Sequence, residues 1–401
     1  MSRIDELLAE LCAEGVEFKL LGACAVYSDT RIDAGELDET NFVGVDNLLQ
    51  NAAGKVNASY LPNTNRLTAY EVGDILIGNI RPYLKKIWLA NDSGGCSGDV
   101  LAIRIAEPYR SKLSPAFLYR LLASNDFFGY NMQHAKGAKM PRGSKEAVLN
   151  YRIPIPPLDV QHEIVSVLEK FTELEAELEA ELEARRRQYE YYRDALLVFS
   201  DQDIRWAAMG EVGEFFRGRR FTKADYVDAG IECIHYGDIY TQYGTVTETT
   251  VSHVRADLPS TLRFASPGDL IIAGVGETVE DVGKAVAWLG CGEVAIHDDC
   301  FAFRHSLNPR FVSYYFQTSA FHAEKNKFVA RAKVKRLSAE SLAKLTIPVP
   351  SPEEQARIVA ILDKFDALVN DIFVGLSAEI AARRRQYAHY RDRLLTFKEA
   401  V

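Results

Sequence analysis

The stretch Ile153-Pro154-Ile155-Pro156-Pro157, followed by Gln161 and a long apolar-spaced run that closes on Arg185-Arg186-Arg187-Gln188-Tyr189 and Tyr192-Arg193-Asp194-Ala195-Leu196-Leu197, decides the fold. It occurs twice. The second copy begins at Ile347-Pro348-Val349-Pro350, passes Gln355, Ile358, Leu362 and Phe365, and closes on Arg383-Arg384-Arg385-Gln386-Tyr387 and Tyr390-Arg391-Asp392-Arg393-Leu394-Leu395. Each Ile-Pro-x-Pro segment predicts an extended strap, because proline removes a donor and drives its predecessor to β or polyproline geometry. Helices then start near Asp159 and Glu353, whose carboxylates suit the positive end of a helix dipole.

Within the first helix Val160, Ile164, Val167, Phe171, Leu174 and Leu178 step by alternating fours and threes, and the pattern resumes through Leu182, Tyr189, Tyr192, Leu196 and Phe199. The second copy offers Ile358, Ile361, Phe365, Leu368, Ile372, Tyr387, Tyr390 and Leu394. This is the spacing of a coiled-coil seam. The extra four-residue step from Leu178 to Leu182 lies inside three tandem Glu-Leu-Glu-Ala units at residues 173–184 and would locally unwind a supercoil. The helices would cover about 41 and 45 residues, roughly 60 to 70 Å each. An antiparallel pair is expected, since a parallel one would crowd the two intervening segments at one end. In an end-to-end alignment Glu173 to Glu183 would lie opposite Val369 to Glu379, a stretch with no Lys or Arg. The acidic run would then be unpaired, either a solvated face or a docking face for a basic partner.

Working outward, Arg3 to Glu14 reads as a short helix leading to Leu21-Gly22, and the order recurs at Leu196-Leu197, Trp206 and Met209-Gly210. The repeat is therefore circular in character. Strands are marked by short apolar runs such as Asp74-Ile75-Leu76-Ile77, Val100-Leu101-Ala102-Ile103, Asp269-Leu270-Ile271-Ile272 and Cys300-Phe301-Ala302-Phe303. Helices follow at Pro115-Ala116-Phe117-Leu118 and Pro309-Arg310-Phe311-Val312, 194 residues apart, the offset that also relates Ile153 to Ile347. Elsewhere the two segments match poorly beyond Gly73-Asp74 and Gly268-Asp269. The expected architecture is an α+β chain with an internal pseudo-twofold repeat and two globular mixed α/β domains separated by two long antiparallel helices. Its divisions are 1–152 (with a short helix at 3–14), 153–200, 201–346 and 347–401.

The 401 residues are 47% hydrophobic and 26% charged, an ordinary folded composition. No run reaches the roughly 18 apolar residues of a membrane span, and the first residues lack a signal-peptide core, so a cytoplasmic protein is expected. The six cysteines show neither C-x-x-C nor histidine partners at metal spacing, and no metal is expected. A net charge of -9 is concentrated in residues 151–200, with 6 basic and 11 acidic side chains, so local basic faces are open to both globular segments.

Taken together, two unlike globular segments, each followed by an Ile-Pro-x-Pro strap, a Gln, a long helix and Tyr-Arg-Asp-x-Leu-Leu, resemble the specificity subunit of type I restriction–modification enzymes. The phrase Ile234-His235-Tyr236-Gly237-Asp238-Ile239-Tyr240 adds to the likeness, which covers essentially the whole chain. The resemblance implies two target recognition domains, each reading half of a split site on double-stranded DNA. It implies helices that set the spacer and dock two modification (methyltransferase) subunits, to which restriction subunits add. Some members carry tandem tetrapeptides in the first long helix, so the Glu-Leu-Glu-Ala run resembles a spacing device. S-adenosylmethionine, ATP and magnesium would belong to partner subunits, and this chain itself would need no cofactor.

Candidate DNA contacts follow from polar loops. In the first domain they are Asn79, Arg81, Tyr83, Lys85 and Lys86, and a second loop with Lys136, Lys139, Arg142 and Lys145. In the second domain they are Arg217, Arg219, Arg220 and Lys223, then His235, Tyr236 and Tyr240, and finally Lys333, Lys335 and Arg336. Arginine can bridge guanine O6 and N7, whereas most lysines in such loops hold phosphates. Gly274-Val275-Gly276-Glu277-Thr278-Val279 lacks the third glycine of a dinucleotide fingerprint and reads as a plain loop. No Asn-Pro-Pro-Tyr or Asp-Pro-Pro-Tyr stretch, Walker loop or paired-carboxylate nuclease motif is present, so no catalytic role is expected. The competing reading is a coiled-coil adaptor that bridges two proteins without touching DNA.

Overall fold

A computed structural model describes residues 3–199, 204–330 and 334–400. The chain divides into two compact units, residues 1–179 with 378–401 and residues 180–377. In the first, the strap Arg152–Ile155 is a β-strand paired antiparallel with Glu17–Leu20, Ile153 opposite Lys19. A ladder of two strands has only edges, which is where proline is tolerated. One four-stranded sheet runs in the order Ala25–Tyr27, Val100–Ile105, Ile75–Gly78, Ile87–Leu89, and a second in the order Arg31–Asp33, Arg66–Tyr70, Gly94–Cys96, Phe42–Val43.

Both faces of the central strands are covered, so they read as continuous apolar runs instead of alternating ones. Ile75 and Ile77 join a core with helices Pro115–Leu122 and Asn125–Gln133 and with Val160, Ile164, Val165 and Leu168 from the long helix. Leu76 turns the other way, toward Val43, Tyr70 and Trp88.

The second unit repeats the plan. Thr346–Val349 pairs antiparallel with Arg205–Ala208, and Leu270 and Ile272 face one core while Ile271 faces another. Its two sheets have five strands each, which accounts for the poor match of the earlier parts of the two segments. The shared Gly-Asp corner is built alike in both. Gly73 (φ 91°) and Gly268 (φ 96°) turn in left-handed conformation, and the buried Asp74 and Asp269 that follow each take a forked pair of hydrogen bonds from Arg104 or Arg304.

The long helices span Leu158–Leu196 and Pro352–Leu394, 39 and 43 residues. Inside each unit their segments run antiparallel. In the first, Phe171 stacks on Tyr390 at 5.4 Å, and Arg384 donates to Glu175 at 2.5 Å and Glu179 at 2.6 Å. In the second, Tyr189 donates to Asp366 at 3.2 Å, Tyr192 stacks on Phe365 at 6.0 Å, and Arg186 lies over the Phe373 ring.

The paired helices depart from the sequence expectation in two respects. The acidic run is not unpaired: Arg384 spans two of its glutamates, and Glu181 and Glu183 pair along the helix with Arg185 and Arg187. The helix register therefore differs from an end-to-end alignment. Nor is the apolar seam uniformly buried. Ile164, Ile358 and Leu394 are buried, and Val167, Phe171, Leu178, Leu182, Tyr189, Leu196, Ile361, Tyr387 and Tyr390 are half-buried. By contrast Leu174, Tyr192, Phe365, Leu368 and Ile372 are exposed, Leu368 at 63%. Val165, Leu168, Val359 and Leu362, outside that seam, are buried instead, because the first turns of each helix also serve their domain core and need a wider apolar face. Farther along, one partner helix covers only part of the stripe.

Residues 15–16 and 398–400 meet within the first unit. Val16 N–H donates to Lys398 O at 2.9 Å and Ala400 N–H to Val16 O at 3.0 Å. Gly15 permits this, since it has φ 95° and a Cβ there would lie 2.7 Å from Ala400 N. Gly15→Ala should cost about 2 kcal/mol or more, from left-handed strain plus the clash. Thermal unfolding should fall by roughly 4 to 8 °C for a unit of this size; an unchanged midpoint would contradict the assigned closure.

Candidate nucleic-acid interface

In the first unit the strand Ile75–Gly78 delivers the chain into residues 79–86, and the helix Asn125–Gln133 delivers it into residues 134–144. These two loops, far apart in sequence, are tied together. Gly143 N–H donates to Asn79 O at 3.0 Å, Arg81 N–H to Pro141 O at 2.7 Å, and Ile80 forms a bridge with Arg142. Gly143 allows the approach, since a Cβ there would meet the side chains of Asn131 and Asn79 at 2.6 and 2.7 Å. Beside the junction opens a concavity of about 820 Å³ lined by Arg31, Arg66, Arg81, Lys86, Tyr60, Leu61, Asn63 and Met140 among others.

The candidate residues separate by what already holds them. Asn79 is buried, which removes it from the surface. Lys85 Nζ donates to Asn125 Oδ1 at 2.5 Å, Lys86 Nζ to Val45 O at 2.7 Å, and Arg142 pairs with Asp99 at 2.8 Å. Lys145 sits 6.0 Å over the Tyr27 ring. Arg81, Tyr83, Lys136 and Lys139 are exposed. Arg31 and Arg66 escaped the sequence reading because they stand on separate strands, and only the pairing of Arg31–Asp33 with Arg66–Tyr70 brings them to one wall.

In the second unit a concavity of about 430 Å³ gathers Arg217, Arg220, Lys223 and Arg336 around His297, Asp298 and Asp299. Pairing of Val275–Gly276 with Lys335–Arg336 carries Arg336 there, so the segment read as a plain loop includes a short strand. Lys335 is half-buried, Arg219 is exposed, and Lys333 lies outside the described residues. Arg217 Nε donates to Asp298 O, and its guanidinium lies 3.8 Å from the Asp298 carboxylate.

His297, Asp298 and Asp299 place possible ligand atoms within 4.8 Å of one another. However, His297 Nε2 lies 3.2 Å from Phe221 O and Nδ1 accepts from Asp299 N–H at 3.2 Å. Both ring nitrogens are thus committed, and the trio braces the loop.

Residues 235–241 form a capped helical turn, Tyr236–Thr241, in which His235 Nδ1 accepts from Gly237 N–H and Asp238 accepts from His235 N–H. Burial, assisted by His297, lowers the His235 pKa and favours the neutral ring. Tyr240 turns inward, its hydroxyl donating to Val275 O, and burial raises its pKa. Tyr236 packs between His235 and Tyr240, at 4.1 and 5.8 Å. His235 also lies against His297 of the concavity's lining, with ring centroids 4.6 Å apart. Lys325, wholly buried, donates to Val279 O and Val282 O at 2.8 and 2.6 Å.

Two differently furnished cationic concavities on a repeated scaffold define a duplicated recognition protein. Residues 41–184 and 205–382 match the family described as the type I restriction modification DNA specificity domain, and the chain belongs to that family. It is similar to the type I restriction enzyme EcoR124I/EcoR124II specificity subunit of Escherichia coli, with 31% identity over 63% of this chain and 66% of that one. A putative type I restriction enzyme specificity subunit of Haemophilus influenzae is 30% identical over 72% of this chain and 74% of that one. The fold resembles a chain in a solved structure described as the structural basis of complex assembly and conformational transition of the type I R-M system. Identity there is 22%, TM-score 0.66, and coverage 95% of this chain and 97% of that one. The duplicated domain makes this chain a DNA-specificity protein of the type I restriction–modification class. No helix among the described residues is long and apolar enough to cross a membrane.

Proposed function

We propose that each domain reads one half of an asymmetric, bipartite site in double-stranded DNA, and that the paired helices set the spacer and dock two modification subunits. Restriction subunits join through that complex. Methyl transfer and cleavage, with S-adenosylmethionine, ATP and magnesium, belong to the partner chains, and the complex works in the cytoplasm. The observation that carries this reading is the pair of unlike cationic concavities, Arg31, Arg66 and Arg81 in one unit and Arg217, Arg220, Lys223 and Arg336 in the other. Different loops on a retained scaffold suit two different half-sites, as identical subunits suit a palindrome.

The test is DNA binding by the full chain assembled with its modification subunits, measured as a function of salt. With six or more phosphates neutralised, affinity should drop on the order of a thousandfold or more between 50 and 200 mM salt. Binding that is absent or insensitive to salt would favour a protein-bridging adaptor.

A further inference from the structure

We propose that Arg81 is the base-reading residue of the first domain and that the half-site it reads contains a guanine, recognised at its major-groove edge. This rests on the DNA-recognition function proposed above. Four non-glycine residues of known placement have left-handed backbone, Asn51, Ala52, Arg81 and Lys85, and all lie in two loops of this domain. Arg81 has φ 52° and ψ 63° and directly precedes Pro82, a position where sterics favour β or polyproline geometry. Such strain persists only where the surroundings over-determine it, and it gathers where a side chain must be aimed.

The surroundings here do so. Arg81 N–H is held by Pro141 O, its carbonyl accepts from Leu84 N–H at 2.9 Å, and Ala52 N–H donates to Lys85 O at 2.9 Å, locking one strained loop onto the other. The two following lysines spend their ammonium groups on Asn125 and Val45. That leaves the guanidinium of Arg81 without a partner among the described residues, on the wall of the cationic concavity, with Leu61 and Met140 on the same lining.

A planar fork of donors matches guanine O6 and N7, which a lysine cannot do in bidentate fashion. Arg66 is also unpartnered among the described residues, but it stands on a regular strand and suits a phosphate, where position matters and geometry is permissive. A rigid mount distinguishes a reader from a holder.

The experiment maps methylated sites produced on a random-sequence DNA library by the complete complex carrying Arg81→Gly or Arg81→Lys. Glycine accepts φ near +52° without strain, so the thermal midpoint of R81G should equal or exceed that of the parent. At one guanine of one half-site, discrimination should fall on the order of ten- to a hundredfold, with the other half-site intact. R81K should keep the salt dependence yet lose the same discrimination. Unchanged half-sites in R81G, or uniform weakening at every sequence, would overturn the assignment of Arg81 while leaving bipartite recognition standing. A lowered midpoint would overturn the strain argument on which the choice of Arg81 rests. If the parent complex modifies no bipartite site at all, the function itself is wrong.

Discussion

Gln161→Leu should cost the first unit about 3 to 5 kcal/mol. Gln161 is fully buried at the start of the long helix, and its amide serves three backbone groups. Oε1 accepts from Ser114 N–H at 2.8 Å, while Nε2 donates to Lys112 O and Pro156 O, both at 2.7 Å. One side chain thus joins the strap, the first turn of the long helix and the residue before helix Pro115–Leu122. Leucine fills the space but leaves up to three buried polar groups unpaired, at roughly 1 to 3 kcal/mol each. Against a typical domain stability of about 5 to 15 kcal/mol, that is a large share.

Gln355 repeats the arrangement in the second unit, accepting from Asn308 N–H at 2.7 Å and donating to Pro350 O at 2.9 Å. With two partners in place of three, Gln355→Leu should cost less, about 2 to 4 kcal/mol. Denaturant unfolding of both variants, and of the double variant, checks the ranking. A loss under about 1 kcal/mol for Gln161→Leu would mean that water reaches these groups. A loss from the pair equal to the sum of the singles would show that the two anchors act independently.

Those glutamines were visible in the sequence as a repeated position, although not what they hold. Much of the scaffold was similarly legible, because straps, strands with apolar runs and the 194-residue offset are properties of local spacing. The Gly-Asp corners are legible as matches. Their reason emerges only with Arg104 and Arg304, which arrive from neighbouring strands to neutralise buried carboxylates.

The interface was less legible, for a physical reason. A loop's basic residues announce charge, but whether that charge is free depends on what the fold sets opposite it. Lys85, Lys86, Arg142 and Arg217 are engaged by Asn125, Val45, Asp99 and Asp298, partners 40 to 81 residues away in sequence. Arg31 and Arg66 lie on separate strands, and strand pairing sets them on one wall. The register of the helices was hidden likewise, since a repeat of four residues fits a partner at several offsets. Arg384, by bridging Glu175 and Glu179, selects one of them.

That register gives the Glu-Leu-Glu-Ala run its sharpest test. Deleting residues 177–180 should abolish modification of the parent site by a hundredfold or more and create modification of a site with the same two half-sites and a spacer shorter by one or two base pairs. Four residues of helix account for about 6 Å of rise and, at 3.6 residues per turn, about 40° of rotation beyond a full turn. One base pair supplies about 3.4 Å and 35°. The change thus falls between one and two steps by rise and near one by rotation. The repeat itself protects the fold, because Glu183 then takes the place of Glu179 opposite Arg384 and Leu182 that of Leu178 on the half-buried stripe. Stability should accordingly shift far less than in Gln161→Leu, which separates a ruler from a structural element. Sequencing the methylated products of the deleted and parent complexes reads the outcome. Altered half-sites would show that the run shapes the readers, and an unaltered spacer would show that the helices do not measure the DNA.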